Sequence, residues 1–232
     1  MMTIGLIGGL SWESSAEYYR LINEGVHQRL GENHSAKLVM VSLDFHEIEV
    51  LQHRDRWEEA AAAMVAAARQ VEQGGAGCLV ICSNTMHRMA DEVAAATSIP
   101  LLHIADATAA AVSAAGLKRL GLLGTRFTME HDFYKGLLTD RYRLEIMIPD
   151  EDDRTKLHAI IFDQLVVGDI RPESRRAVLE MIERLVVRGA EGIILGCTEI
   201  PLLVKPGDAS VPLFDTTALH AAMAVDWALL AE

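Results

Sequence analysis

Cysteine is scarce in this sequence, and the three present, Cys78, Cys82 and Cys197, fit neither a disulfide framework nor the paired CxxC spacing of a zinc site. A reducing, cytoplasmic compartment is therefore expected, with each thiol either core filler or a reagent. Basic charge is also short: 21 Lys and Arg stand against 33 Asp and Glu, a formal net charge of −12. That argues against nucleic acid and an anionic membrane surface as partners, because both need a clustered basic face. An anionic small molecule can still be held locally, by backbone N–H groups and helix ends. No apolar run reaches the roughly 18 residues that a membrane span needs. The first nine residues lack a basic lead-in and read as a buried strand, not a signal peptide. With 50% hydrophobic and 23% charged residues, the chain is too apolar for disorder and can bury a sizeable core.

Short β-branched runs alternate with long Ala-rich amphipathic stretches. Strands are expected near 3–7, 37–43, 78–82, 101–103, 119–123, 142–148, 192–195 and 212–214. Helices are expected near 13–29, 56–73, 86–97, 106–115, 128–138, 151–166, 173–188 and 216–230. This alternation predicts an α/β protein with mostly parallel sheets flanked by helices. Gly74-Gly75 and Gly189 close helices, and Pro172 falls just inside a helix start.

The chain also repeats itself. IGLIGG at 4–9 matches LGLLGT at 120–125, LVICSNT at 79–85 matches IILGCTE at 193–199, and SIPLL at 98–102 matches SVPLF at 210–214. Gly5 and Gly121 lie 116 positions apart, Ser83 and Cys197 114, and Pro100 and Pro212 112. Three segments in one order at nearly one offset predict two pseudo-symmetric lobes, 1–103 plus 216–232 and 104–215. Parallel sheets bind ligands beyond the carboxyl ends of their strands. An active site in the cleft between the lobes is thus expected, with Ser83 and Cys197 opposed across it.

Several positions in these segments could carry chemistry. Cys197 ends an apolar strand just before a helix, where free N–H groups and the helix dipole should draw a thiol's pKa from about 8.5 toward neutrality. Asn84 and Thr85 either cap the next helix or bind carboxylate and ammonium groups. Cys82 precedes Ser83 by one residue, so strand alternation points it to the opposite face, into the core. His87 falls on the first helical turn, in a structural or a catalytic role. The turn Gly8-Gly9-Leu10-Ser11 opens a helix and suits anion binding, with Gly124-Thr125 as its counterpart; it is not GxGxxG, so no dinucleotide site is read there. Asp44, His46 and Gln52 either line the cleft or lie on the surface. His34, His103, His158 and His220 show no ligand spacing with carboxylates or thiols, and no metal is expected.

GLIGGLSWESSAEYY, LDFHEIE, SNTMH and LGCTEIPLL together resemble the aspartate/glutamate racemase family, nearest its bacterial aspartate-type and broad-specificity amino-acid racemases. The resemblance implies two pseudo-symmetric α/β lobes, a homodimer, an amino acid as small-molecule substrate, and racemisation without pyridoxal phosphate, metal or other cofactor. It implies one catalytic cysteine per lobe. The carboxyl-terminal one falls on Cys197, but the amino-terminal one falls on Ser83. It places Gly9, Ser11, Gln52, Asn84, Thr85, Thr125, Thr198 and Glu199 around the substrate. A serine is a poor proton acceptor near neutral pH without a strong neighbouring base. Since the carboxyl-terminal cysteine faces the α-hydrogen of the L-isomer in that family, the resemblance implies an enzyme that starts well from L-aspartate or L-glutamate. Two alternatives stay open: a single-cysteine decarboxylase of malonate-type substrates on the same fold, and a non-catalytic amino-acid-binding protein.

Overall fold

The computed structural model describes residues 1–230, so the last two residues of the expected first lobe lie outside the described residues. The chain divides into two compact units, Met1–His103 with the chain from His220 onward, and Ile104–Leu219. The division falls inside the last helix, four residues beyond its start.

In the first unit, β1 (Ile4–Gly8), α1 (Trp12–Leu30), β2 (Leu38–Ser42), α2 (Phe45–His53), α3 (Trp57–Gln73), β3 (Cys78–Ile81), α4 (Ala90–Ala95) and β4 (Leu101–Leu102) follow in order. Their strands form one parallel sheet ordered β2-β1-β3-β4. The period of two along β3 divides its side chains between the two faces. Leu79 and Ile81 pack with Met64, Ala68 and Val71 of α3, whereas Cys78, Val80 and Cys82 pack with Tyr18, Ile22 and Val26 of α1. The second face is completed by Ala221, Ala224, Val225 and Ala228, the i, i+3, i+4, i+7 stripe of the last helix.

The second unit runs α5 (Ile104–Ala114), β5 (Arg119–Gly124), α6 (Arg126–Glu130), α7 (Asp132–Tyr142), β6 (Glu145–Met147), α8 (Glu151–Asp163), α9 (Pro172–Val187), β7 (Gly192–Gly196), α10 (Ile200–Leu203), β8 (Leu213–Asp215) and the start of α11 (Thr216–Leu230). Its parallel sheet has the order β6-β5-β7-β8, the first unit's order repeated. The repeat extends to the register. Gly5 pairs with Leu79 and Leu79 with Leu101; their sequence counterparts Gly121, Ile193 and Leu213 pair in the same way. Even single bonds recur: Leu79 N–H donates to the Pro100 carbonyl at 2.8 Å, and Ile193 N–H to the Pro212 carbonyl at 2.9 Å. The two-lobed α/β architecture read from the repeat is the one observed.

Local chemistry sets the helix starts. Ser11, Asp44, Thr125 and Asp150 each accept a backbone N–H from the first turn they precede, and Pro172 occupies the first turn of α9. Four expectations need correction. α2 lies where no helix is expected, because its apolar side is narrow: only Ile48 and Gln52 are buried. The helix expected over 128–138 is two helices, parted by extended backbone at His131. α7 continues to Tyr142, whose hydroxyl bonds Asp106, and closes on a left-handed Arg143, so β6 is shorter than 142–148. The helix expected from 86 begins as a 3-10 turn over Thr85–Met89 before α4.

Candidate active site

Except for Gln52, which lies on α2, the candidate substrate and catalytic residues follow the carboxyl ends of strands in their own units. After β1 the chain turns sharply at Gly9, with φ +71° and no room for a side chain: a Cβ there would stand 2.0 Å from the Leu43 carbonyl oxygen. The Gly9 N–H, expected to be open for an anion, donates to Ser15 Oγ at 2.8 Å, and that hydroxyl donates to the Ser11 carbonyl at 3.0 Å. Gly9 therefore serves the turn by its shape. Ser11 Oγ accepts from Ser14 N–H at 3.2 Å, and Ser14 Oγ donates to the Cys82 carbonyl at 2.8 Å, tying the α1 start to the end of β3.

Beyond β3, Ser83 is half-buried, while Asn84 and Thr85 are buried. Ser83 Oγ accepts weakly from Met86 N–H at 3.4 Å, and the Ser83 carbonyl lies 2.7 Å from His87 Nδ1. Asn84 makes no capping bond with its side chain, which removes the simple capping role for it. Gln52, buried on α2, donates through Nε2 to Met86 Sδ at 3.1 Å and so sits against this turn. Asp44 caps α2 through His46 N–H, and Asp44 and His46 are both exposed.

In the second unit, Thr125 follows β5 and plays the part that Ser11 plays in the first: its Oγ accepts from Thr128 N–H at 3.2 Å. Cys197 directly follows β7 and is 6% exposed. Its thiol donates to Glu199 Oε2 at 3.0 Å, and the Thr198 hydroxyl donates to the same oxygen at 2.7 Å. Burial holds the Cys197 thiol well above its ordinary pKa, and the Glu199 carboxylate adds to the effect by repulsion and by accepting the S–H bond; the Thr198 and Glu199 N–H groups pull the other way. This corrects the sequence expectation of a lowered pKa. α10, at four residues, supplies little dipole to oppose these effects. Burial alone raises Cys82, which points into the core as strand alternation requires, and it pushes Cys78 up to about 11.

The sequence left open what Glu199 touches in its own unit, because a carboxylate two residues from a thiol reaches it only if the turn folds back. It also missed Ser14 and Ser15, whose hydroxyls knit the first turn together; the run of small hydroxyls after Trp12 was the available signal. Among the described residues no group of three or more His, Cys, Asp or Glu is placed to hold a metal ion, and no helix is long and apolar enough to cross a membrane.

The Asp/Glu/Hydantoin racemase family model matches residues 7–224. The chain belongs to that family and is an isomerase of the racemase kind. It is similar to a putative Asp/Glu racemase from Yersinia pestis, with 51% identity, a TM-score of 0.91, and 99% of this chain and 100% of that one covered. An aspartate racemase homologue from Pyrococcus horikoshii OT3 shares 32% identity and a TM-score of 0.85 over 99% of this chain and 100% of its own. The broad specificity amino-acid racemase RacX of Bacillus subtilis (strain 168) is 23% identical over 164 residues, covering 69% of each protein.

Proposed function

We propose that this protein racemises a small amino acid, preferentially L-aspartate or L-glutamate, without a cofactor and with Cys197 as the base that removes the α-proton. The observation that carries the reading is the Cys197 thiol at the end of β7, hydrogen-bonded at 3.0 Å to the Glu199 carboxylate. A thiol held up by burial and by a neighbouring anion is protonated at neutral pH, so a base must take its proton before it can act. Glu199 is positioned to do so. Proton transfer from sulfur to Glu199 Oε2 leaves a thiolate beside a neutral acid, which removes the repulsion that held the thiol up.

The thiolate then accepts the α-proton as the Cα–H bond breaks, and the electron pair spreads into the substrate's α-carboxylate. Hydroxyl and amide groups of Ser11, Asn84, Thr85, Thr125 and Thr198 are proposed to hold the carboxylates and stabilise that charge. A proton from water, passed on by Ser83, reaches the opposite face of the α-carbon. Glu199 returns its proton to solvent, and the charges balance. Because Ser83 has no thiolate to offer, removal of the α-proton is proposed to run well from the L-isomer and poorly from the D-isomer. The homodimer implied by the resemblance is part of this proposal, and sedimentation measures it.

The test is incubation of a panel of L- and D-amino acids in D2O, following deuterium at the α-carbon and optical configuration. Racemisation of L-aspartate or L-glutamate supports the reading. Tight binding with no α-exchange would leave a binding protein instead.

A further inference from the structure

Against the Ser83 turn lies a cluster of aromatic and imidazole groups, buried except for the half-buried His103, drawn from separate stretches of the first unit. His87, on the 3-10 turn itself, is 2% exposed, and its ring centroid stands 4.6 Å from that of His103 and 5.5 Å from that of His220 on α11. His220 and Tyr18 are fully buried.

Hydrogen-bond direction fixes where two of these rings carry a proton. A carbonyl oxygen can only accept, so His220 donates through Nε2 to the Leu102 carbonyl at 2.7 Å. Its Nδ1 stands 2.9 Å from the Tyr18 hydroxyl. By the same logic His87 carries its proton on Nδ1 and donates to the Ser83 carbonyl at 2.7 Å. The 3-10 turn is opened by the Asn84 carbonyl, which accepts from the His87 N–H at 3.2 Å, so the Ser83 carbonyl lies one residue outside its ladder. The imidazole satisfies that carbonyl, and the Met86 N–H is directed at Ser83 Oγ.

We infer that His87 is the positioning residue of the Ser83 turn: its Nδ1–H, directed at the Ser83 carbonyl from a ring packed against His103 and His220, sets the peptide plane from which Ser83 and Asn84 project. This rests on the racemase reading above and deepens it, because it makes returning the proton through Ser83, but not removing it at Cys197, depend on His87. Burial and the neighbouring His103 and His220 rings keep His87 neutral, which suits a ring that must hold one tautomer. Cys197 and Glu199 lie in the other unit's fold and do not use this bond.

The experiment compares wild type, His87→Phe and His87→Asn on L-aspartate and L-glutamate in D2O. Phe keeps the ring's bulk without a donor, whereas the Asn amide nitrogen can replace Nδ1. His87→Phe is expected to lower racemisation about 10- to 100-fold, the scale of a displaced reacting group. Exchange of the L-isomer's α-hydrogen should change little. His87→Asn should recover most of the loss. An equal fall in exchange and racemisation, or no recovery in a folded His87→Asn, overturns the inference. Should His87→Phe fail to fold, the wild-type imidazole 15N spectrum decides: an Nε2–H tautomer for His87 rules the donor out. A wild type that neither exchanges nor racemises any amino acid overturns the racemase reading together with this inference, whereas an active wild type with a parallel loss in His87→Phe overturns the inference alone.

Discussion

The Cys197 thiol and the Glu199 carboxylate form a 3.0 Å S–H···O contact inside the second unit, with the Thr198 hydroxyl on the same oxygen. If Glu199 is the thiol's proton acceptor, Glu199→Gln should lower turnover about 10²–10⁴-fold, the usual worth of a general base. Removing the carboxylate also removes a repulsion that raises the thiol, so the pH at which Cys197 ionises should fall. The ultraviolet absorbance of the thiolate, followed against pH, measures this. An unchanged turnover, or a thiol that ionises at higher pH in the variant, would sink the role assigned to Glu199.

Cys197→Ala should fold normally and lose almost all turnover. Cys82→Ala should keep its turnover and lose on the order of 1 kcal/mol of stability, since it only trims a packed core side chain. Urea melts and activity on the two variants separate the cases. Equal losses of activity would mean that the wrong thiol has been assigned.

Ser83→Cys should bring the two isomers' exchange rates closer together. A thiol at that position supplies the acceptor that the serine lacks, provided the neighbouring amides lower its pKa. The equilibrium ratio of D to L stays at one in water, so kcat/KM must change by one factor in both directions. The change appears in α-hydrogen wash-in from the D-isomer and in the individual KM values. A wild type that exchanges both isomers equally fast would show that Ser83, or another group, is already a competent base.

His87 gives a pH prediction with a definite sign. Its pKa in the folded chain lies well below the ordinary value of about 6.5, chiefly through burial and then through His103 and His220. The unfolded chain therefore binds an extra proton in the interval between the two values. The stability linked to this group is fully present above about pH 6.5 and is lost as pH falls below it. Urea unfolding between pH 7.5 and 5 should show this loss in wild type. His87→Asn, with nothing to titrate at that position, should show a smaller slope; identical slopes would contradict the assignment.

The architecture was legible because two periodicities repeat with fixed spacing. The match of Gly5, Leu79 and Leu101 to Gly121, Ile193 and Leu213 is a register, and register follows from which side chains face the core. The fate of Cys82 could be read for the same reason. What stayed hidden depended on chain folding back over short distances. The Glu199 carboxylate and the Cys197 thiol meet only because the turn after β7 brings positions two apart together, and a pKa expectation that counted the helix, but neither burial nor the carboxylate, had the wrong sign. His87, His103 and His220 are far apart in sequence, and no spacing rule links a 3-10 turn, the end of β4 and a helix that completes the sheet's second face.

The repeated register has a use for anyone who mutates this chain. Leu79 and Ile193 occupy the same place in two copies of one sheet, both fully inaccessible to solvent, each paired to a glycine on the strand before and to a leucine on the strand after. Backbone geometry is thus matched between them while the surrounding side chains differ. Truncating both to alanine in turn is a comparison with its own internal control: whatever the two costs share belongs to the strand, and whatever separates them belongs to the neighbours that each half of the molecule has gathered around it.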